Sequence, residues 1–198
     1  RRAIMSAEKV KYLSQNLQNR ALVSVGTNIP GTWGSPTDTL TRSLRELETL
    51  GFSCVSVSSA YLTRPVGLHY QPVYINVVSE LSCDFLPRNI IRVFKRLEHD
   101  AGRRSRVRNG PRPLDLDLLS YRNWVVNWPP PVRRPPLVLP HPHLAERPFV
   151  LVPLVEIAPR WRHPVIGLTA RRLLDRLGGA GHLARCGEVI RLDRPRDL

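Results

Sequence analysis

The sequence predicts an α+β fold: one antiparallel sheet with helices packed on one side, followed by an irregular and partly helical C-terminal extension. Three observations lead there. Several short runs alternate or cluster apolar residues as strands do, and two longer stretches carry an apolar stripe at helical spacing. Their order along the chain is strand, helix, strand, strand, helix, strand, which is the split βαβ, ferredoxin-like arrangement.

Each element has its own signal. ALVSVGTN (21–28) reads as a buried strand ending in a glycine turn. SPTDTLTRSLRELETL (35–50) reads as a helix with Ser35 as N-cap, Pro36 in its first turn, and Leu40, Leu44, Leu47 and Leu50 on one face. Gly51 ends it. FSCVSVSSAYL (52–62) alternates as a strand, TRPVGLHYQP (63–72) is a loop punctuated by proline and glycine, and VYINVVSEL (73–81) is a strand again. LPRNIIRVFKRLEHDAG (86–102) is an amphipathic helix with Ile90, Ile91, Phe94 and Leu97 inward and Gly102 at its end. A basic loop (103–113) leads to the strand LDLDLLSY (114–121). Beyond it, 125–148 is proline-rich and predicts a surface loop, whereas FVLVPLVEIA and GLTARRLLDRL predict short helices. Residues 1–20 read as a helical N-terminal extension, dispensable for catalysis, 21–192 as one domain, and 193–198 as a frayed tail.

The 198 residues suffice for one ordinary core. No apolar run is long enough to span a bilayer, and the first twenty residues lack the apolar stretch of a signal peptide. The chain begins at Arg1 rather than Met, which reads as a processed or truncated piece. Cys54, Cys83 and Cys186 are scattered, which argues against a disulfide framework and against zinc, and for a reducing, cytoplasmic setting. The formal charge of +14 favours an anionic partner: nucleic acid, a membrane surface or a polyphosphate ligand.

Asp115 and Asp117 carry the sharpest chemical signal. Residues i and i+2 of a strand point to one face, roughly 7 Å apart, leaving Leu114, Leu116 and Leu118 to the core. Two like charges at that range repel by roughly 2 kcal/mol at an effective dielectric near 20. Removing either charge is therefore expected to leave the fold intact and relieve that repulsion. Solvated aspartates on an open sheet face would fit the pattern, and so would a Mg²⁺ site, since magnesium takes hard oxygen ligands and arrives with phosphates. Arg103, Arg104, Arg106, Arg108 and Arg112 crowd the preceding loop, and guanidinium forks match phosphate oxygens.

GPRPLDLDLL resembles the signature of the 6-hydroxymethyl-7,8-dihydropterin pyrophosphokinases. The resemblance extends over residues 21–160, through VGTN, SSAYLTRPVG, QPVYIN, KRLEHDAGR and LPHPHLAERPFVLVPLVEIAP in the family's order. It implies a ferredoxin-like enzyme of folate synthesis that moves the β,γ-pyrophosphoryl group of ATP to the pterin and releases AMP. It also implies two Mg²⁺ ions held by Asp115 and Asp117, with Arg112 and Arg103 steadying the phosphates. Lys95, Glu98, His141 and Arg147 would bind ATP. Thr63, Val66, Tyr74, Asn76 and Phe149 would form the pterin pocket, with Tyr74 and Phe149 stacking on the ring and Asn76 reading its edge. A monomer is expected, with no membrane or nucleic-acid partner.

The chain departs from the family pattern in places. Asn109 stands where tryptophan is common, Ser105 where a second loop arginine is, and Lys95 where glutamine is. Pro136 replaces an ATP-contacting arginine and Pro142 an aromatic. Adjusted ATP affinity, rather than lost activity, is the expected result. The rival readings are a basic ferredoxin-like module that binds nucleic acid and a non-catalytic member of the family.

Overall fold

The computed structural model describes residues 19–65, 70–104, 109–132, 137–178 and 190–192. The N-terminal extension up to residue 18 and the tail from 193 lie outside them, as does Val66. Six strands form one sheet: β1 (Arg20–Thr27), β2 (Ser53–Val57), β3 (Ala60–Thr63), β4 (Tyr74–Ser82), β5 (Asp115–Tyr121) and β6 (Ile190–Leu192). The order is β5-β1-β4-β3-β6, with β2 also on β4, and every pairing is antiparallel. The helices are α1 (Pro36–Thr49), α2 (Pro87–Asp100), α3 (Pro148–Ile157) and α4 (Ala170–Arg176).

Local chemistry sets the helix ends. Ser35 and Asp38 close a capping box at the start of α1, a device that contributes about 1 kcal/mol. Gly102, at φ 94°, ends α2 in the left-handed conformation that glycine adopts without steric cost. The N–H of Arg103 then reaches back to the Glu98 carbonyl at 2.9 Å. This turn delivers Arg103 to the end of β5.

Two layers of helix cover the sheet, one on each face. Leu40, Leu44 and Leu47 of α1 and Ile90, Phe94 and Leu97 of α2 pack against Val23, Val25, Val77, Leu116 and Leu118. The C-terminal extension covers the opposite face, where Val150, Leu151 and Leu154 of α3 and Leu173 and Leu174 of α4 meet Leu22, Val78 and Leu119. Sequence patterning placed α1 and α2 on one side and left α3 without a position. The reason is that α3 is apolar nearly all round, so its periodicity does not point it anywhere.

The single strand expected over 52–62 is broken in two. Five residues of it, Val57 to Tyr61, span four of β4, Ser79 to Asn76, so the chain bulges at Ser58 and Ser59. Ser58 fills the gap, its N–H donating to the Val78 carbonyl at 2.9 Å while its Oγ accepts the Val78 N–H at 3.0 Å.

Candidate active site

Alternation along three strands brings a polar set to the face that α3 and α4 cover. Ser24 and Gly26 come from β1, Tyr74 and Asn76 from β4, and Asp115 and Asp117 from β5. Together with Thr63 and Arg64 they line a cavity of about 450 Å³. Its far wall is Arg147, Pro148 and Phe149 at the start of α3, with His143 and Glu146 before it, and Asn109 and Arg112 close one end.

Asp115 and Asp117 do project together, as their spacing predicts. Each is already matched by cations of the chain itself. Asp115 Oδ1 accepts from Arg103 at 2.6 Å and Arg112 at 3.1 Å; Asp117 Oδ2 accepts from Arg147 at 3.0 Å, with His141 Nε2 at 3.8 Å. The expected repulsion is thus offset within the protein, because Arg103 and Arg112 from the chain just before β5 and Arg147 from the start of α3 converge on the pair. Burial opposes ionisation of Asp115, but Arg112 and Arg103 outweigh it and hold the carboxyl below its ordinary value. One oxygen of each aspartate has no partner among the described residues.

Glu98 and Lys95 stand behind this pair rather than in the cavity wall. Glu98 is 3% exposed, and its Oε1 takes both Arg103 at 2.7 Å and the Leu116 N–H at 2.9 Å. Its Oε2 meets the exposed Lys95 ammonium at 2.8 Å. Burial pushes the Glu98 carboxyl up, while Arg103 and Lys95 pull it down. His141 is held neutral: burial depresses it to about 4 despite the nearby Asp117. Its Nδ1 accepts the His143 N–H at 3.2 Å, which leaves Nε2 to carry the proton toward Asp117.

Thr63, Tyr74, Asn76 and Phe149 all reach the cavity. Asn76 donates to Thr63 Oγ1 at 2.7 Å, and a Cβ at Gly26 would come within 2.9 Å of Asn76 Oδ1. Glycine at this point keeps the floor of the slot free. Tyr74 has a second role invisible in the motif, since its hydroxyl donates to the Gly110 carbonyl at 3.0 Å and so ties the floor to the loop before β5.

That loop has a further anchor that motif reading left without a role. Asn28 is 4% exposed; its Oδ1 accepts the Arg112 N–H at 2.8 Å and its Nδ2 donates to Gln71 and to the Pro72 carbonyl. Gln71 in turn donates to the Asn109 carbonyl at 2.9 Å. Asn109 sits at φ 57°, a left-handed geometry that asparagine tolerates better than bulky residues. Among the departures, Ser105 and Pro136 lie outside the described residues, as do Arg106 and Arg108; Arg104 is exposed.

Comparisons with known proteins agree with this architecture. The family model described as 7,8-dihydro-6-hydroxymethylpterin-pyrophosphokinase matches residues 22–159. A Synechocystis protein named 2-amino-4-hydroxy-6-hydroxymethyldihydropteridine pyrophosphokinase is 35% identical over 158 residues, covering 79% of this chain and 75% of that one. The folic acid synthesis protein of Dictyostelium discoideum is 30% identical over 165 residues, 83% of this chain. The chain spans only about a quarter of the length of that protein and of other long curated relatives. In fold, it resembles the crystal structure of wild-type Plasmodium falciparum HPPK-DHPS with a TM-score of 0.61 at 14% identity, covering 80% of this chain and 44% of that one.

Proposed function

As the chain belongs to the 7,8-dihydro-6-hydroxymethylpterin-pyrophosphokinase family, we propose that it transfers the β,γ-pyrophosphoryl group of ATP to 6-hydroxymethyl-7,8-dihydropterin in tetrahydrofolate synthesis. The pterin hydroxymethyl oxygen bonds to the β-phosphorus, its proton is lost, and the bond from that phosphorus to AMP breaks. One observation carries this reading: two aspartates on one strand face share a cavity with Arg112 and Arg147, two of the guanidiniums that pair them.

The donor set suits magnesium. Both candidate ligands are hard oxygens, and each aspartate keeps one oxygen without a partner among the described residues. Among those residues no group of three or more His, Cys, Asp or Glu side chains could hold a metal. Phosphate oxygens and water would therefore complete each coordination sphere, as is usual for Mg²⁺. We read Asp115 and Asp117 as holding two ions, which when bound neutralise the triphosphate and polarise the β-phosphorus.

The side chains supply position and charge, and no covalent nucleophile is needed. Arg103 and Arg112 pass from carboxylate to phosphate oxygens as ATP enters, and Arg147 and the neutral His141 donate to the same group. Glu98, pinned to β5 by the Leu116 N–H, keeps Arg103 at hand, and Lys95 sits at its outer side. Phe149 and Tyr74 stack the pterin, and Asn76 and Thr63 bond its edge; Val66, outside the described residues, is read as a further pterin contact. A monomer is the proposed working unit. Cys54 and Cys83 are free thiols, which suits the cytoplasm, and among the described residues no helix is long and apolar enough to cross a membrane.

Phosphorus NMR of the protein with ATP, Mg²⁺ and the hydroxymethyl pterin tests the proposal. AMP and a pterin diphosphate should appear together. ADP in place of AMP would overturn it.

A further inference from the structure

Glu156 lies two helical turns beyond Phe149 on α3, outside the cavity, and among the described residues its carboxylate accepts three hydrogen bonds from one short piece of chain. Oε2 accepts the Ser59 N–H at 3.0 Å and the Tyr61 hydroxyl at 2.7 Å, and Oε1 accepts the Ser59 hydroxyl at 2.9 Å. Ser59 and Tyr61 are 1% and 8% exposed and Glu156 is half-buried, so these bonds are partly shielded from water, which strengthens charge-assisted bonds.

The clamp falls where the sheet cannot hold itself. The bulge between β2 and β3 takes the Ser59 N–H off the β4 ladder, and Glu156 supplies the acceptor the ladder lacks. Immediately after it, Tyr61 pairs with Asn76 and Thr63 with Tyr74 across the β3–β4 ladder. Tyr61 and Thr63 share a strand face, and Thr63 Oγ1 accepts from Asn76. One carboxylate therefore joins α3, whose first turn bears Arg147 and Phe149, to the strand that bears the opposite side of the slot.

We propose that Glu156 is a positioning residue that sets the gap between Phe149 and the Thr63–Asn76 edge, and so tunes affinity for the flat heteroaromatic substrate. The inference rests on the pterin-pocket reading above. Loss of the charge lets β3 move relative to α3 and loosens the slot. On the triphosphate side, Asp115, Asp117, Arg103 and Arg112 lie on β5 and the chain before it, which these bonds do not join to Glu156; Arg147 alone sits at the start of α3.

The test compares the parent with Glu156→Gln and, as a milder variant, Tyr61→Phe, which removes one donor and keeps the ring. Pterin affinity is read from its fluorescence in the presence of Mg²⁺ and a non-hydrolysable ATP analogue, and analogue affinity is read separately. Glu156→Gln should weaken pterin binding about tenfold, the effect of losing roughly one strong hydrogen bond, with analogue binding changed less than about twofold. KM for the pterin should rise more than kcat falls. Tyr61→Phe should shift the same quantity in the same direction by about threefold, and it decides the matter if Glu156→Gln does not fold. Unchanged pterin affinity in a folded Glu156→Gln, or equal weakening of both ligands, overturns the inference. A parent that binds no pterin overturns the pocket reading itself.

Discussion

Asp115 and Asp117 carry unequal structural duties. Asp115 receives two guanidiniums, one of them shared with the buried Glu98, whereas Asp117 receives Arg147 alone and faces a neutral imidazole. Replacing either by Asn should abolish most AMP formation, measured by phosphorus NMR, with native far-ultraviolet circular dichroism. The unfolding free energies should differ. Asp115→Asn leaves Arg112 without its carboxylate and Arg103 with Glu98 alone, and should lose about 1 kcal/mol in urea titration, discounted for its partial exposure, while Asp117→Asn loses less. A gain in stability at Asp115 would mean that aspartate repulsion dominates after all. Gly26 offers a second test at this scale. Gly26→Ala directs a methyl group at Asn76 Oδ1, so pterin affinity should fall while affinity for an ATP analogue holds. Retained pterin binding would show that the floor can yield.

At the level of elements, the segment between α3 and α4 is held by a histidine rather than by regular structure. His163 is 1% exposed, and its Nδ1 accepts the N–H groups of Val165 and Ile166 at 3.3 and 3.1 Å. The proton must then sit on Nε2, which is buried without a hydrogen-bond partner, with the rings of Trp128 and Trp161 nearby. Burial lowers its pKa from 6.5. The unfolded chain therefore takes up a proton below about pH 6.5 that the folded chain resists. The contribution is complete above that pH and is lost progressively as pH falls through the depressed folded value. Melting temperature should decline on acidification from about pH 7.5 to 5, and His163→Gln, which can accept the same bonds but does not titrate, should flatten the decline. Parallel curves for parent and variant would remove His163 from the account.

For the molecule as a whole, a charge of +14 and a ferredoxin-like sheet together raise the question of nucleic acid. Sheet-based RNA recognition requires an open face on which bases stack. Here α1 and α2 cover one face and α3 and α4 the other. Of the aromatics on described strands, Tyr61 and Tyr121 are buried, and Tyr74 lines the cavity opposite Phe149 of α3. Binding to random RNA should accordingly be weak at about 0.15 M salt and fall steeply as salt rises, by filter binding. Tight, sequence-dependent binding would establish a second activity.

The features that depend on near neighbours were legible in the sequence itself. Strand alternation put Asp115 and Asp117 on one face, Ser35 and Gly102 marked helix ends, and the order of elements led to the ferredoxin-like arrangement. These follow from backbone geometry over a few residues, which a linear pattern records. Other features required the fold, because they join segments remote along the chain. Asn28 meets Arg112 across 84 positions, and Glu156 meets Ser59 across 97. The side of the sheet that α3 covers could not be read, since a helix apolar nearly all round carries no directional stripe. Nor could the whole fate of the aspartate charges: spacing predicts that they repel and puts Arg103 and Arg112 in the loop before them, but only tertiary packing turns those arginines onto Asp115 and brings Arg147 from α3 to Asp117.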